Sequence, residues 1–100
     1  MRELEIFKEL IKQEKYYEAH EILEDLWQQI RKTDNPLKWA YKGLINAAVS
    51  FELIKRKRNS YNIPWKNYKK YENYYKLNEE VKQTAEFINN YAFTLNIDLI

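Results

Sequence analysis

The chain has a single histidine, His20, and it stands in the run YYEAHEILEDLW, residues 16–27, among Glu18, Glu21, Glu24 and Asp25 and ahead of Trp27. On a helix, residues three and four apart are neighbours. His20 and Glu24 are four apart, as are Tyr17 and Glu21, and Glu21 and Glu24 are three apart. The spacing predicts that His20, Glu21 and Glu24 converge at the margin of a core, with Trp27 sheltering them and Arg31 continuing the strip. An imidazole beside a carboxylate has a fixed tautomer and a tunable pKa, which suits it to act as general base or metal ligand. The same residues serve equally well as structure, with His20 a satisfied hydrogen-bond partner of Glu24 at a core edge. The candidate binding residues are Tyr17, His20, Glu21, Glu24, Trp27 and Arg31; the candidate catalytic residues are His20, Glu21 and Glu24.

Several chemistries are excluded or weakened by composition. There is no cysteine, hence no disulfide, zinc-thiolate site or thiol nucleophile. HEILE, residues 20–24, looks like half of a zincin, but the second histidine of H-E-x-x-H is a glutamate here and the chain has no other. Glu18 and His20 lack the Glu-x-x-His spacing of di-iron bundles. His20 and Glu24 remain the only metal-ligand candidates, and no cofactor is expected. Without cysteine a nucleophile would have to be Ser50, Ser60 or a threonine, in no recognisable elbow.

The elements that must position these residues are helical. Glycine occurs once and proline twice in 100 residues, which argues against turn-rich β architecture. Leu4, Phe7, Leu10 and Ile11 mark a first helix over about residues 2–13, and Ala19, Ile22, Leu23, Leu26 and Ile30 a second over 16–32. Asn35-Pro36 predicts a cap and first turn for a third helix over 36–57. Asn62-Ile63-Pro64 starts a fourth, with Trp65, Tyr68, Tyr71 and Tyr75 on one side. Asn78, followed by Glu79 and Glu80, caps a fifth that runs to about 95 on Val81, Ala85, Ile88, Ala92 and Leu95. The expectation is an all-α fold, a compact bundle of about five helices packed sequentially and antiparallel, in one domain spanning residues 1–100.

The third helix carries a packing signal. Ala40, Gly43, Ala47, Ser50 and Ile54 share one narrow sector, and four of the five are small. Gly43 costs about 1 kcal/mol relative to alanine in mid-helix, and close approach of the second helix is the simplest reason for it. Glu52 shares a sector with Tyr41, Ile45 and Ala48, and is expected to reach solvent at the helix edge.

Tyr17-Glu18-Ala19-His20-Glu21, then Glu24 and Trp27, followed by Gly43-Leu44-Ile45-Asn46-Ala47-Ala48-Val49, resemble domain-of-unknown-function family 309. That family's pattern runs approximately Y/F-x-E-A-H-E-x-L-E-x-x-W, then Q-G-L-I-x-x-A. The resemblance covers residues 15–59 and implies an all-helical fold in small, mostly prokaryotic proteins with no established reaction. It implies His20, Glu21 and Glu24 as signature polar positions, with Trp27 and Gly43 as packing partners. This chain departs from the pattern at Glu14, where a glycine usually precedes the motif, at Lys42, where glutamine precedes Gly43, and at Arg58-Asn59, where Gly-Asn is customary. On the helical wheel Lys42 lies away from the small-residue sector and is expected to face solvent.

Charge is polarised along the chain. Residues 55–76 carry eight Lys or Arg against Glu72 alone, a net +7, while the remainder carries −5. Lys55, Arg56, Lys57 and Arg58 followed by WKNYKKYENYY have the composition of a nucleic-acid surface, where cations neutralise phosphates and rings stack on bases. The alternative is a buried aromatic stripe with lysines on its far side. Three tryptophans and nine tyrosines are many for one small core, so self-association through aromatic anchors is a further expectation. No run is long and apolar enough for a membrane span, and Glu3, Glu5 and Glu9 interrupt any secretory h-region, so a cytoplasmic location with no membrane partner is expected. Taken together, the residues point to a binding or interaction module with a polar His/Glu site on its second helix. A hydrolase-like enzyme using His20 with Glu21 or Glu24, with or without a divalent metal, is the alternative, and nucleic-acid binding through residues 55–70 the third. The small-molecule ligand is unknown.

Overall fold

The computed structural model describes residues 1–97 and contains five α-helices and no strand among them: α1 (Arg2–Lys12), α2 (Tyr16–Ile30), α3 (Leu37–Lys55), α4 (Asn62–Lys70) and α5 (Glu79–Thr94). The starts are set by local chemistry. Asn35 Oδ1 accepts the Leu37 N–H at 3.0 Å, and Pro36, with φ −68°, leads into α3. Asn78 is extended and its side chain accepts the Val81 N–H at 2.8 Å, a cap for α5.

Three helices end without glycine. Glu14, Lys57 and Asn96 all have φ near +59°, and each is followed by a residue whose N–H reaches back five positions: Lys15 to the Leu10 carbonyl, Arg58 to Leu53 and Ile97 to Ala92. This is the Schellman closure, which normally uses glycine because a Cβ is strained there. Glu14 thus holds a left-handed position that glycine would occupy without strain.

The fourth helix is shorter than the aromatic spacing predicts. It stops at Lys70, Tyr71 leaves helical geometry, and Glu72–Lys76 forms a 3₁₀ turn. A second 3₁₀ turn, Asn59–Tyr61, precedes it, so Asn62 is helical rather than a cap. Tyr75 therefore does not continue the stripe of Trp65 and Tyr68. It folds back over α3.

There it explains the only glycine. A Cβ built on Gly43 would overlap Tyr75 Oη and come within 2.8 Å of Cζ. The close partner of Gly43 is Tyr75, not the second helix as the spacing suggested. The buried small residues Ala40, Gly43, Ala47 and Ser50 face the later part of the chain, with Ser50 Oγ donating to the Tyr61 carbonyl at 2.8 Å.

Helix α3 is buried on most of its circumference and packs on α2, α4, α5 and both 3₁₀ turns. Consecutive helices pack on one another from α1 to α4, while α5 returns against α1 and α3. The surplus of aromatic residues is largely absorbed internally. Ring centroids link Tyr16 to Phe51 (5.8 Å), Phe51 to Tyr91 (5.2 Å) and Trp65 (6.0 Å), Trp65 to Tyr68 (4.7 Å), and Tyr68 to Tyr75 (5.1 Å). Hydroxyls in this chain are partnered: Tyr75 Oη donates to the Tyr68 carbonyl at 2.7 Å, and Tyr68 Oη lies 2.8 Å from Asn89 Oδ1 and 3.1 Å from the Ala85 carbonyl, donating to these acceptors. No helix among the described residues is long and apolar enough to cross a membrane.

Candidate functional site

Helices α2, α3 and α4 form a layer with one outward face. The outward edge of α3 consists of Trp39, Lys42, Asn46, Val49, Leu53 and Arg56, all exposed or half-buried. On one side α2 presents Tyr17, His20, Glu24, Trp27 and Arg31, and on the other α4 brings Asn67, whose amide donates to Asn46 Oδ1 at 3.4 Å. The strip predicted on the second helix thus lies along a real edge of the molecule.

His20 and Glu24 are a pair, with Nε2 to Oε2 at 3.5 Å and side chains 28% and 31% exposed. The expected threefold convergence does not occur. Glu21 is exposed and makes no hydrogen bond or ion pair among the described residues. One residue of helix turns the chain by about 100°, which carries position 21 away from the α3 side while 20 and 24 stay together. Among the described residues no three His, Asp or Glu side chains gather where they could hold a metal ion.

The ring beside His20 is Tyr17, at 5.9 Å, rather than Trp27. Seven residues are two helical turns, about 10 Å along the axis, so Trp27 belongs to another neighbourhood. It lies under two cations, with Arg31 Cζ at 5.6 Å and Lys42 Nζ at 4.4 Å from the ring centroid. Lys42, expected to face solvent, is half-buried against this indole.

Between α2 and α3, His20 opens onto a groove of about 240 Å³, lined by Tyr16, Tyr17, Ala48, Val49, Leu53, Arg56 and Glu52. Glu52 is the residue the sequence placed wrongly. Its side chain is only 23% exposed, Oε1 lies 3.7 Å from Arg56 Nε, and Oε2 is buried with no hydrogen-bond partner. Glu52 follows Ala48 and Val49 at helical spacing and precedes Leu53, so an acid set in an apolar edge was visible, but not that α2 would cover it. Nearby, Tyr16 is buried and meets the Tyr91 hydroxyl at 2.5 Å. Burial first, then this hydrogen bond, pushes the Tyr16 hydroxyl well above the usual phenol range.

The basic segment divides. Trp65, Tyr68 and Tyr75 are core, so they form no stacking platform for bases. Lys55, Arg56, Lys57 and Arg58 are exposed at and beyond the C-terminus of α3, where cations also complement the helix dipole.

Residues 4–61 match the family described as domain of unknown function (DUF309). The chain belongs to that family, whose function is unknown. The match takes in α1 from its third residue, α2, α3 and the first 3₁₀ turn, and with them every residue of the groove. Comparison with curated proteins and with solved structures gives no match.

Proposed function

We propose that the protein is a binding module whose site is the α2–α3 groove, and that it takes a small ligand with an apolar, preferably aromatic, body and a cationic or strongly hydrogen-bond-donating head. One observation carries this: Glu52 Oε2 is withdrawn from water at an apolar groove and has no donor. A buried acceptor without a partner costs about 1–3 kcal/mol, and a ligand N–H would recover it once the Glu52 carboxylate turns into the groove. Tyr16, Tyr17, Val49 and Leu53 supply the surface for the ligand's body, and an aromatic ring can face a cation. Arg56, largely exposed, can swing away from Glu52 at little cost.

The test uses phenethylammonium as probe, with phenylpropionate as its anionic counterpart, followed by NMR shifts of groove residues. The cation is expected to shift Tyr17, His20 and Val49 while the anion does not, and Glu52→Gln should remove the response. Equal responses to both probes, or an undiminished response in the variant, would refute the reading.

A hydrolase-like activity has one observation in its favour, the His20–Glu24 pair at the mouth of the same groove. A carboxylate that orients one imidazole nitrogen leaves the other to take a proton from water. Turnover of small ester or amide substrates that disappears in both His20→Gln and Glu24→Gln would favour it; activity lost in neither would exclude it.

A further inference from the structure

The other end of the same outward face has a different chemistry. Four cations lie on three rings there: Arg31 and Lys42 on Trp27, Lys38 on Trp39 at 5.3 Å, and Lys70 on Tyr71 at 5.4 Å. Trp39 is 38% exposed, and its ring stacks on Tyr71 with centroids 5.7 Å apart and planes 14° from parallel. The two rings stack on one another and join α3 to the end of α4, with Lys38 over Trp39 and Lys70 over Tyr71. Lys42 and Arg31 border the stack on the α2 side, and Lys70 on the other.

None of these four cations has an ion-pair partner among the described residues, though Lys38 Nζ donates to the Thr33 carbonyl at 2.6 Å. An ammonium resting on an aromatic face has shed part of its water but kept its full charge. A row of such charges, spaced by planar rings, complements a chain that alternates anionic groups with planar ones. We propose that the patch formed by Trp27, Arg31, Lys38, Trp39, Lys42 and Lys70 binds single-stranded nucleic acid, with a base displacing Lys38 or Lys70 from a face of the Trp39–Tyr71 stack and phosphates taken up by the freed and flanking cations. This surface is distinct from the Lys55–Arg58 run, and it stands independently of the groove.

Duplexes keep their bases stacked inside, so an exposed tryptophan gains little from them, whereas every base of a single strand offers a face. Each phosphate neutralised on a single strand lowers the logarithm of the binding constant with a slope near −0.7 against the logarithm of salt. Four cations set an upper value of about −3 on that basis.

The experiment titrates labelled oligo(U) and oligo(dT) of about a dozen nucleotides against the full chain, beginning near 50 mM salt. Binding of either strand supports the proposal, and a preference between them identifies the source as RNA or DNA. Trp39→Leu should weaken binding roughly tenfold or more, as loss of one base stack does, and Lys42→Gln with Lys70→Gln should flatten the salt slope by about 1.4. Circular dichroism checks that each variant is folded; should Trp39→Leu fail, Tyr71→Leu tests the same stack. The proposal is overturned by any of four results: no binding near 50 mM salt, tighter binding of duplex, polyglutamate or heparin binding as tightly as oligo(U), or a loss carried by Lys57→Gln and Arg58→Gln but not by Trp39→Leu.

Discussion

Replacing Gly43 by alanine sets two effects of opposite sign against each other. In an ordinary mid-helix position the change stabilises by about 1 kcal/mol, because alanine gives up less backbone freedom on folding. At Gly43 the new methyl meets Tyr75, whose Cζ would lie 2.8 Å away and whose hydroxyl would be overlapped. That hydroxyl is not a loose end: it donates to the Tyr68 carbonyl at 2.7 Å, and its ring stacks on Tyr68. Moving it incurs an overpacking cost of about 1–3 kcal/mol and threatens a buried hydrogen bond worth a further 1–3 kcal/mol or so when a partner is left unpaired. The clash wins. Gly43→Ala should lower stability by roughly 1–5 kcal/mol, or about 4 °C or more in Tm for a domain of this size. Urea denaturation followed by circular dichroism measures it, and Tyr75→Phe supplies the cycle. With the hydroxyl gone the alanine should cost at least about 1 kcal/mol less than it does in the wild-type background. A Gly43→Ala protein more stable than wild type, or perfect additivity with Tyr75→Phe, would refute the assignment of Tyr75 as the reason for this glycine.

Glu14→Gly should stabilise by about 1 kcal/mol, because Glu14 sits at φ 59° with a side chain that position disfavours; Glu14→Ala, which keeps the Cβ, should give no such gain in the same denaturation assay. Burial raises the pKa of Tyr16, Tyr68 and Tyr75 in the folded protein, so these phenols stay protonated in the fold while their unfolded counterparts ionise near pH 10. Their contribution to stability is therefore fully present below about pH 10 and is lost as pH rises above it, at up to about 1.4 kcal/mol per pH unit for each. Tyrosinate absorbance on alkaline titration should show these three ionising only together with loss of helicity; their smooth ionisation in a folded chain would contradict the burial.

The helices were legible in the sequence because local signals agree with the packing: the cap at Asn78, the Asn35-Pro36 turn, one residue ahead of its expected place at the cap of α3, and apolar spacing put the main boundaries within about two residues of those found. The break after Lys70 was not, since Trp65, Tyr68, Tyr71 and Tyr75 keep an unbroken helical period and only the notch at Gly43 shows why the chain turns back. The site was half legible. A period of three and four places Tyr17, His20, Glu24, Trp27 and Arg31 along one edge from α2 alone. Glu52, Arg56, Val49 and Leu53 come from the opposite wall, and which residues of α3 face α2 is a matter of tertiary docking, on which one helix's sequence is silent. Lys42 shows the same limit. Its angle on the wheel is correct, but a long side chain can lie down on a neighbour's indole instead of pointing outward.

Tyr75 lies beyond residue 61, where the family match ends, yet it fills a notch cut into α3 within the match. The shared half of the molecule is in this respect an unfinished mould, with a trough of small side chains shaped for a ring that the rest of the chain delivers. In this chain the two halves are therefore keyed to each other: the hollow at Gly43 has the depth of one phenol ring, and it is closed only when Tyr75 enters it.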